Sequence, residues 1–309
     1  MNPSPPLPSL PASSPPRRAR AAWRAWGALG ALGVALAMAV LLVAPASLAA
    51  TWSIVAVDRE TGRLVIASAT CVPQQAIRSF PSEGLWDVQA IVVPGWGVAA
   101  AQAAVDRTRG NQMLIRRELA AGTDPHAILA LLAEDPALEG RQFGIVDLEG
   151  RSAGFSGARN GAASLGVQGS VRGTGIHVSI QGNLLASDAV VLDALAAFLS
   201  EGGTLEDRVM AAMEAADRAG GDARCMCTTP PVPDAPCAHR TAHVAYILAA
   251  DPDDTAESGS HSRGDWSLFL HVTDEDITPD ENANPVTTLR LRYDALMASR
   301  AGEGASPAG

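Results

Sequence analysis

The residue with the most direct route to chemistry is Thr51. It follows Ala46-Ser47-Leu48-Ala49-Ala50, a run of small residues of the kind a signal peptidase reads. A cut after Ala50 makes Thr51 the first residue and places its hydroxyl beside its own free α-amine. That amine has an ordinary pKa of about 8, so part of it is unprotonated near neutral pH. A hydroxyl is a weak nucleophile until a base takes its proton, and an N-terminal amine serves that purpose for threonine. The chemistry is amide hydrolysis. Thr51 attacks a carbonyl, the amine carries the proton, and water resolves the acyl-enzyme. A cut after Ala49 fits small-x-small better, and a cut after Ala46 leaves four extra residues. Either one misplaces the amine, and Thr51 is then a strand opener favoured by β-propensity alone.

Cys71, Cys225, Cys227 and Cys237 are the four cysteines. An even count in an exported chain points to two disulfides. Cys225 and Cys227 are too close to pair, so one of them is expected to bond Cys237 and the other Cys71. The rival is a zinc site from Cys225, Cys227, Cys237 and His239, whose spacing is off the usual patterns. No metal and no cofactor are expected. His126 falls in a helix's first turn, and His177, His243 and His271 fall on strands, as ordinary structural histidines. Nucleophile-elbow and phosphate-loop motifs are missing from the sequence.

The element that must deliver Thr51 is the N-terminal leader. Arg17, Arg18, Arg20 and Arg24 precede an uncharged run from Ala25 to Ala44, and small residues close it. Residues 1–50 therefore read as a signal peptide or, uncleaved, as a membrane anchor of about twenty residues. In both cases the domain is exported, to the periplasm or beyond the cell. Every lysine-or-arginine position is arginine, so lysine chemistry is excluded. Four of the 23 arginines and none of the 33 acids lie before Thr51, so the remainder carries a formal charge of −14. Such a domain is a poor partner for nucleic acid. Self-association into a homo-oligomer stays open.

The pattern predicts a hairpin from Thr51–Asp58 and Arg63–Thr70, then strands at 88–94 and 98–102. Helices are predicted over 111–121 and after Asp124-Pro125. Strands resume at 141–147, 151–155, 165–168 and 176–180. Ser187 is expected to cap a helix to Leu199, and Thr204 with Asp207 to open another. Residues 225–239 read as a Cys- and Pro-rich stapled loop. Strands at 242–249 and 266–272, a helix over 285–298 and a polar tail over 301–309 complete the chain. Residues 51–300 form one α+β domain with helices packed on largely antiparallel sheets.

Several pieces in order resemble the family known as domain of unknown function 1028. They are Thr51 to Asp58 with Thr61-Gly62, Ala101-Gln102, Arg141 to Asp147, Phe155-Ser156-Gly157, Val178 to Leu185, and Gly220-Gly221-Asp222 with Arg224. The resemblance implies an Ntn-hydrolase-like four-layer α-β-β-α sandwich with the nucleophile at the start of the first strand. It suggests partners for Thr51. Asn183, after Gly182 where the chain can turn, would donate to an oxyanion. Asp222 would orient the amine. Gln102 and Arg224 would contact a small-molecule or peptide amide substrate. Residues 225–239 look inserted relative to the family. Many Ntn hydrolases use a lysine that this chain lacks, so a non-catalytic binding or structural module on the same scaffold is the alternative.

Overall fold

The structure, a computed structural model, describes residues 51–80 and 82–304. The leader expected over residues 1–50, and residues 305–309 of the tail, lie outside the described residues.

The hairpin forms as the sequence predicts. Strand β1 (Thr51–Asp58) pairs over its whole length with β2 (Arg63–Thr70), around a turn where Gly62 takes φ 75°. Two short helices follow, α1 (Gln74–Ile77) and α2 (Leu85–Gln89). The strand expected from Val88 is therefore shorter, β3 (Ala90–Val93), and β4 (Gly97–Ala103) returns beside it. Next come α3 (Gly110–Ala120) and α4 (Pro125–Leu132), the latter capped by the Asp124 carboxylate on the His126 N–H. Strands β5 (Arg141–Asp147), β6 (Ser152–Ser156), β7 (Leu165–Ser170) and β8 (Ile176–Asn183) lead into helices α5 (Ala189–Ser200) and α6 (Leu205–Arg218). The last part holds β9 (Val244–Ala250), the small ribbon β10 (Thr255–Ala256) and β11 (Gly264–Asp265), β12 (Leu268–Thr273) and α7 (Pro285–Gly304). Helix α7 runs into the stretch expected as a polar tail.

Two antiparallel sheets result. The larger runs β12-β9-β2-β1-β8-β7, with β1 near its middle, and the smaller runs β3-β4-β5-β6. Alternation along β1 assigns its two faces. Trp52, Ile54 and Ala56 pack with Val190, Phe198, Met210 and Leu289 of α5, α6 and α7. Val55 and Val57 instead join Val92, Val98 and Val146 of the smaller sheet. That sheet's other face, with Ile91, Ala99 and Phe143, packs on Ile115 and Leu132 of α3 and α4. Each sheet thus carries helices on its outer face and meets its partner on the inner one.

Candidate functional site

Apolar side chains fill only one half of the space between the sheets. The half nearest Thr51 is a buried seam of hydroxyls and amides. From β1 come Thr51 and Ser53, from β8 Ser179, Gln181 and Asn183, from β4 Gln102 and from β5 Gln142, all buried. Burial of an amide is costly unless its hydrogen bonds are made, and here nearly all are. Gln102 Nε2 donates to the Thr51 carbonyl at 3.1 Å and to Gln142 Oε1 at 2.8 Å. Gln102 Oε1 accepts from Ser53 Oγ at 2.6 Å and from Gln89 Nε2 at 3.1 Å. Gln142 Nε2 reaches back across the gap to the Gly182 carbonyl at 2.7 Å. Gln181 Nε2 donates to Ser53 Oγ at 2.6 Å, and its Oε1 accepts from Ser179 Oγ at 2.9 Å. Gly144 makes room for this seam, since a Cβ there would stand 1.9 Å from Gln181 Oε1.

Thr51 sits at the end of the seam, between Thr70 of β2 and Asn183 of β8. Its Oγ1 donates to Thr70 Oγ1 at 3.2 Å. Asn183 Nδ2 donates to Gln142 Oε1 at 3.1 Å and, more loosely, to the Thr51 carbonyl at 3.5 Å. Asn183 Oδ1 is buried and receives no hydrogen bond. Asn183 is thus the last residue of a strand rather than part of a turn; the turn follows it, with Leu184 at φ 52°. Thr51, Thr70, Gln89 and Gln102 line a narrow cleft of about 20 Å3, room for one water. Val72, Ile77, Phe80, Leu85 and Val88, from the segment containing α1 and α2, close it over. Thr51 is accordingly only 2% exposed.

Asp222 and Arg224 sit one step further out. Gly220 and Gly221, at φ 105° and 47°, end α6, and a Cβ on Gly221 would lie 2.7 Å from the Trp52 ring. Only glycine suits that conformation and that approach. The turn drives Asp222 into full burial, where its carboxylate accepts the Cys71 N–H at 3.0 Å. Arg224 chelates the same carboxylate through Nε at 3.0 Å and Nη2 at 2.7 Å. Asp222 therefore fixes the end of β2, one residue beyond Thr70. The structure brings Thr51, Asn183 and Gln102 into one hydrogen-bonded group, and places Asp222 with Arg224 behind Thr70.

The disulfides are Cys71–Cys225 and Cys227–Cys237, the pairing type expected. No cysteine among the described residues is free, which overturns the zinc alternative at Cys225, Cys227, Cys237 and His239. His239 instead bonds Asp217 at 2.7 Å. Cys71, Cys225 and His243 gather within 4.8 Å, but the two sulfurs are joined to each other and offer no thiolate. The two disulfides mark an oxidising environment. No helix among the described residues is long and apolar enough to cross a membrane.

Sequence reasoning missed Gln142, Gln181, Ser53 and Thr70 as members of the site. The available signal was polar side chains at inward positions of strands whose other inward residues are apolar.

No curated protein matches the chain. The crystal structure of protein SPO2555 from Silicibacter pomeroyi, itself assigned to DUF1028, resembles it with a TM-score of 0.56 at 24% identity. The likeness covers 80% of this chain and 89% of that one, and it bears on fold. The family model described as "Family of unknown function (DUF1028)" matches residues 51–228. That span is more than half the chain and contains Thr51, Gln102, Gln142, Asn183, Asp222 and Arg224. The seam between the sheets and the clamp behind Thr70 are thus built from residues inside the matched span, and the chain belongs to the DUF1028 family.

Proposed function

We propose that this is an exported amidohydrolase of the Ntn type, in which removal of residues 1–50 turns Thr51 into an N-terminal nucleophile. The observation that carries the reading is the place of Thr51. It is the first residue of a central strand, at the mouth between two sheets, with its hydroxyl, its carbonyl and both strand neighbours in one polar group. Helices on both outer faces of two stacked antiparallel sheets support the four-layer sandwich of that superfamily.

In this mechanism the Thr51 amine takes the proton from Oγ1 as Oγ1 attacks an amide carbonyl, then delivers it to the leaving amine. Asn183 carries the side-chain amide with the least committed proton beside Thr51, since Gln102 Nε2 makes both of its bonds within 3.1 Å. Its Nδ2 proton, held only by the 3.5 Å contact, turns to the oxyanion, and its undonated Oδ1 accepts from the new ammonium. Asp222 is a positioning residue acting through Cys71 and Thr70. Gln102 holds the Thr51 carbonyl, and Arg224 stands at the rim as a substrate contact. The substrate is a small amide or peptide fragment outside the cytoplasm.

A second reading, a non-catalytic module, draws on the closed cleft: about 20 Å3 admits no substrate. On the catalytic reading the segment from Val72 to Val88 moves aside. Intact-mass analysis of the exported protein, followed by treatment with an α′,β′-epoxyketone, separates the two. That electrophile needs a hydroxyl and an adjacent primary amine together. A chain starting at Thr51 and labelled there supports the enzyme; an extended front end with no label removes it.

A further inference from the structure

A wider concavity than the cleft at Thr51 lies elsewhere in the domain. It is a groove of about 550 Å3 on the far side of α2, floored by β12 and walled by the β10–β11 ribbon. Its size falls in the range of small-molecule sites, about 300–1,000 Å3. Nothing in the proposed hydrolysis uses it.

The groove has a fixed aromatic wall. Trp86 lies against Gly84, where a Cβ would be 2.9 Å from the indole nitrogen. Trp266 lies against Gly264 in the same way, where a Cβ would be 2.7 Å from the ring. Its Nε1 is tied to the Ser262 carbonyl at 2.9 Å. Phe269 is held between Trp86, edge-on at 5.1 Å, and His271, stacked at 5.4 Å. Phe269 is nonetheless 37% exposed. Three rings are thus set in place with surface left uncovered.

The charge on the groove is one-sided. Its lining has three acids, Glu83, Glu257 and Asp265, against a single Arg263. Arg263 is already committed, to Glu83 at 3.2 Å and to Asp87 at 3.2 Å. Glu257 and Asp265 make no salt bridge among the described residues, and both are exposed. Asp265 sits on the ribbon next to Trp266, and Glu257 follows the other strand of the ribbon. Arg263 offsets part of the Glu257 charge from a distance, and the lining still holds three acids against one base beside fixed aromatic rings, the pattern that attracts a cation. The ring quadrupole and the carboxylates act on the same charge, and partial desolvation strengthens both.

From this we infer that the groove is a binding site for an organic cation, a quaternary or substituted ammonium group carried on a small molecule. A bare metal ion is a poor fit, because hard cations want several converging oxygens and no aromatic wall. The inference is independent of Thr51, and it holds or fails whichever reading of that residue is right.

Choline and its uncharged carbon isostere, 3,3-dimethyl-1-butanol, provide the test. Tryptophan fluorescence reports binding, in a Trp96→Phe background so that the exposed indole of a separate groove is silent. Choline is expected to saturate with a dissociation constant on the order of 1 mM, and to weaken as salt is raised. The isostere should not saturate over the same range. Glu257→Gln with Asp265→Asn, both at exposed positions, should weaken choline at least about tenfold with the circular dichroism spectrum unchanged. Trp266→Leu should weaken it further and serves as an independent check on the aromatic wall. Equal binding of the isostere, saturation by a neutral disaccharide in place of choline, or choline affinity untouched by the charge variants would each overturn the assignment.

Discussion

At the scale of single residues, the seam beside Thr51 separates chemistry from stability. Thr51→Ala removes one buried hydroxyl bonded to Thr70, so it should cost only about 1 kcal/mol of stability. If the proposed mechanism holds, it should also abolish turnover and epoxyketone labelling, whereas Thr51→Ser should keep both. Gln142→Leu should behave in the opposite way. It removes one hydrogen bond each from Gln102 Nε2, Asn183 Nδ2 and the Gly182 carbonyl, three buried groups at once. Urea denaturation should show a loss of about 3 kcal/mol, since each of the three buried hydrogen bonds given up costs about 1 kcal/mol. Thr51 was legible as a candidate because the small residues before it suggest a cut that would give a hydroxyl and an amine to one amino acid. Gln142 was not, because a lone glutamine in a strand reads as a solvent-facing residue until the opposite sheet is known.

Among the elements, the two disulfides differ in what they enclose. Cys71–Cys225 spans 154 residues and Cys227–Cys237 only 10. On loop-closure entropy the long bridge is worth about 5 kcal/mol and the short one about 3 kcal/mol. Paired Cys→Ala variants, denatured without reductant, should rank in that order. Loss of the long bridge should also loosen the end of β2, read as faster amide exchange at position 71 and at Val72. Helix α6 opens with a full capping box between Thr204 and Asp207, so Thr204→Ala should lower stability by about 1 kcal/mol in thermal melts. That box, the first hairpin and β5 were readable because their signals are local. Helices α1 and α2, four and five residues long, were not, since neither completes enough turns to show a period. The continuation of β8 to Asn183 was also hidden. It is imposed by pairing with β1, eight residues against eight, and not by any preference of Gln181-Gly182-Asn183. The cap expected at Ser187 moved to Asp188, which makes no side-chain capping bond.

For the molecule as a whole, acid is the vulnerable direction. Glu281 is held down to about 2, first by the Arg292 guanidinium that it bonds at 2.7 Å. Its contribution is complete above the ordinary carboxylate range near 4.5 and disappears as pH falls toward 2. Burial pushes His261 below its usual 6.5, against a bond to the Ala90 carbonyl that opposes the shift. The unfolded chain therefore takes that proton more readily, and stability declines as pH drops below about 6.5. Asp87, Asp106, Asp135 and Asp207 are also lowered and add to the acid limb, while Glu214, raised by burial, runs the other way. Melting temperature should be level from neutral pH to about 9, below the ordinary tyrosine range, fall in two stages on acidification, and lose part of the lower stage in Glu281→Gln. The pairing of Cys71 with Cys225 imposes an order on biogenesis. In an unstructured chain Cys225 and Cys227 are both much closer along the backbone to Cys237 than to Cys71, so the first bond tends to form at Cys237, and where it takes Cys225 instead of Cys227 it leaves Cys71 without its native mate. Maturation from that mispaired state requires an isomerase to revisit the first bond made, whereas a first bond at Cys227 leaves Cys225 ready for Cys71 once the sheets assemble.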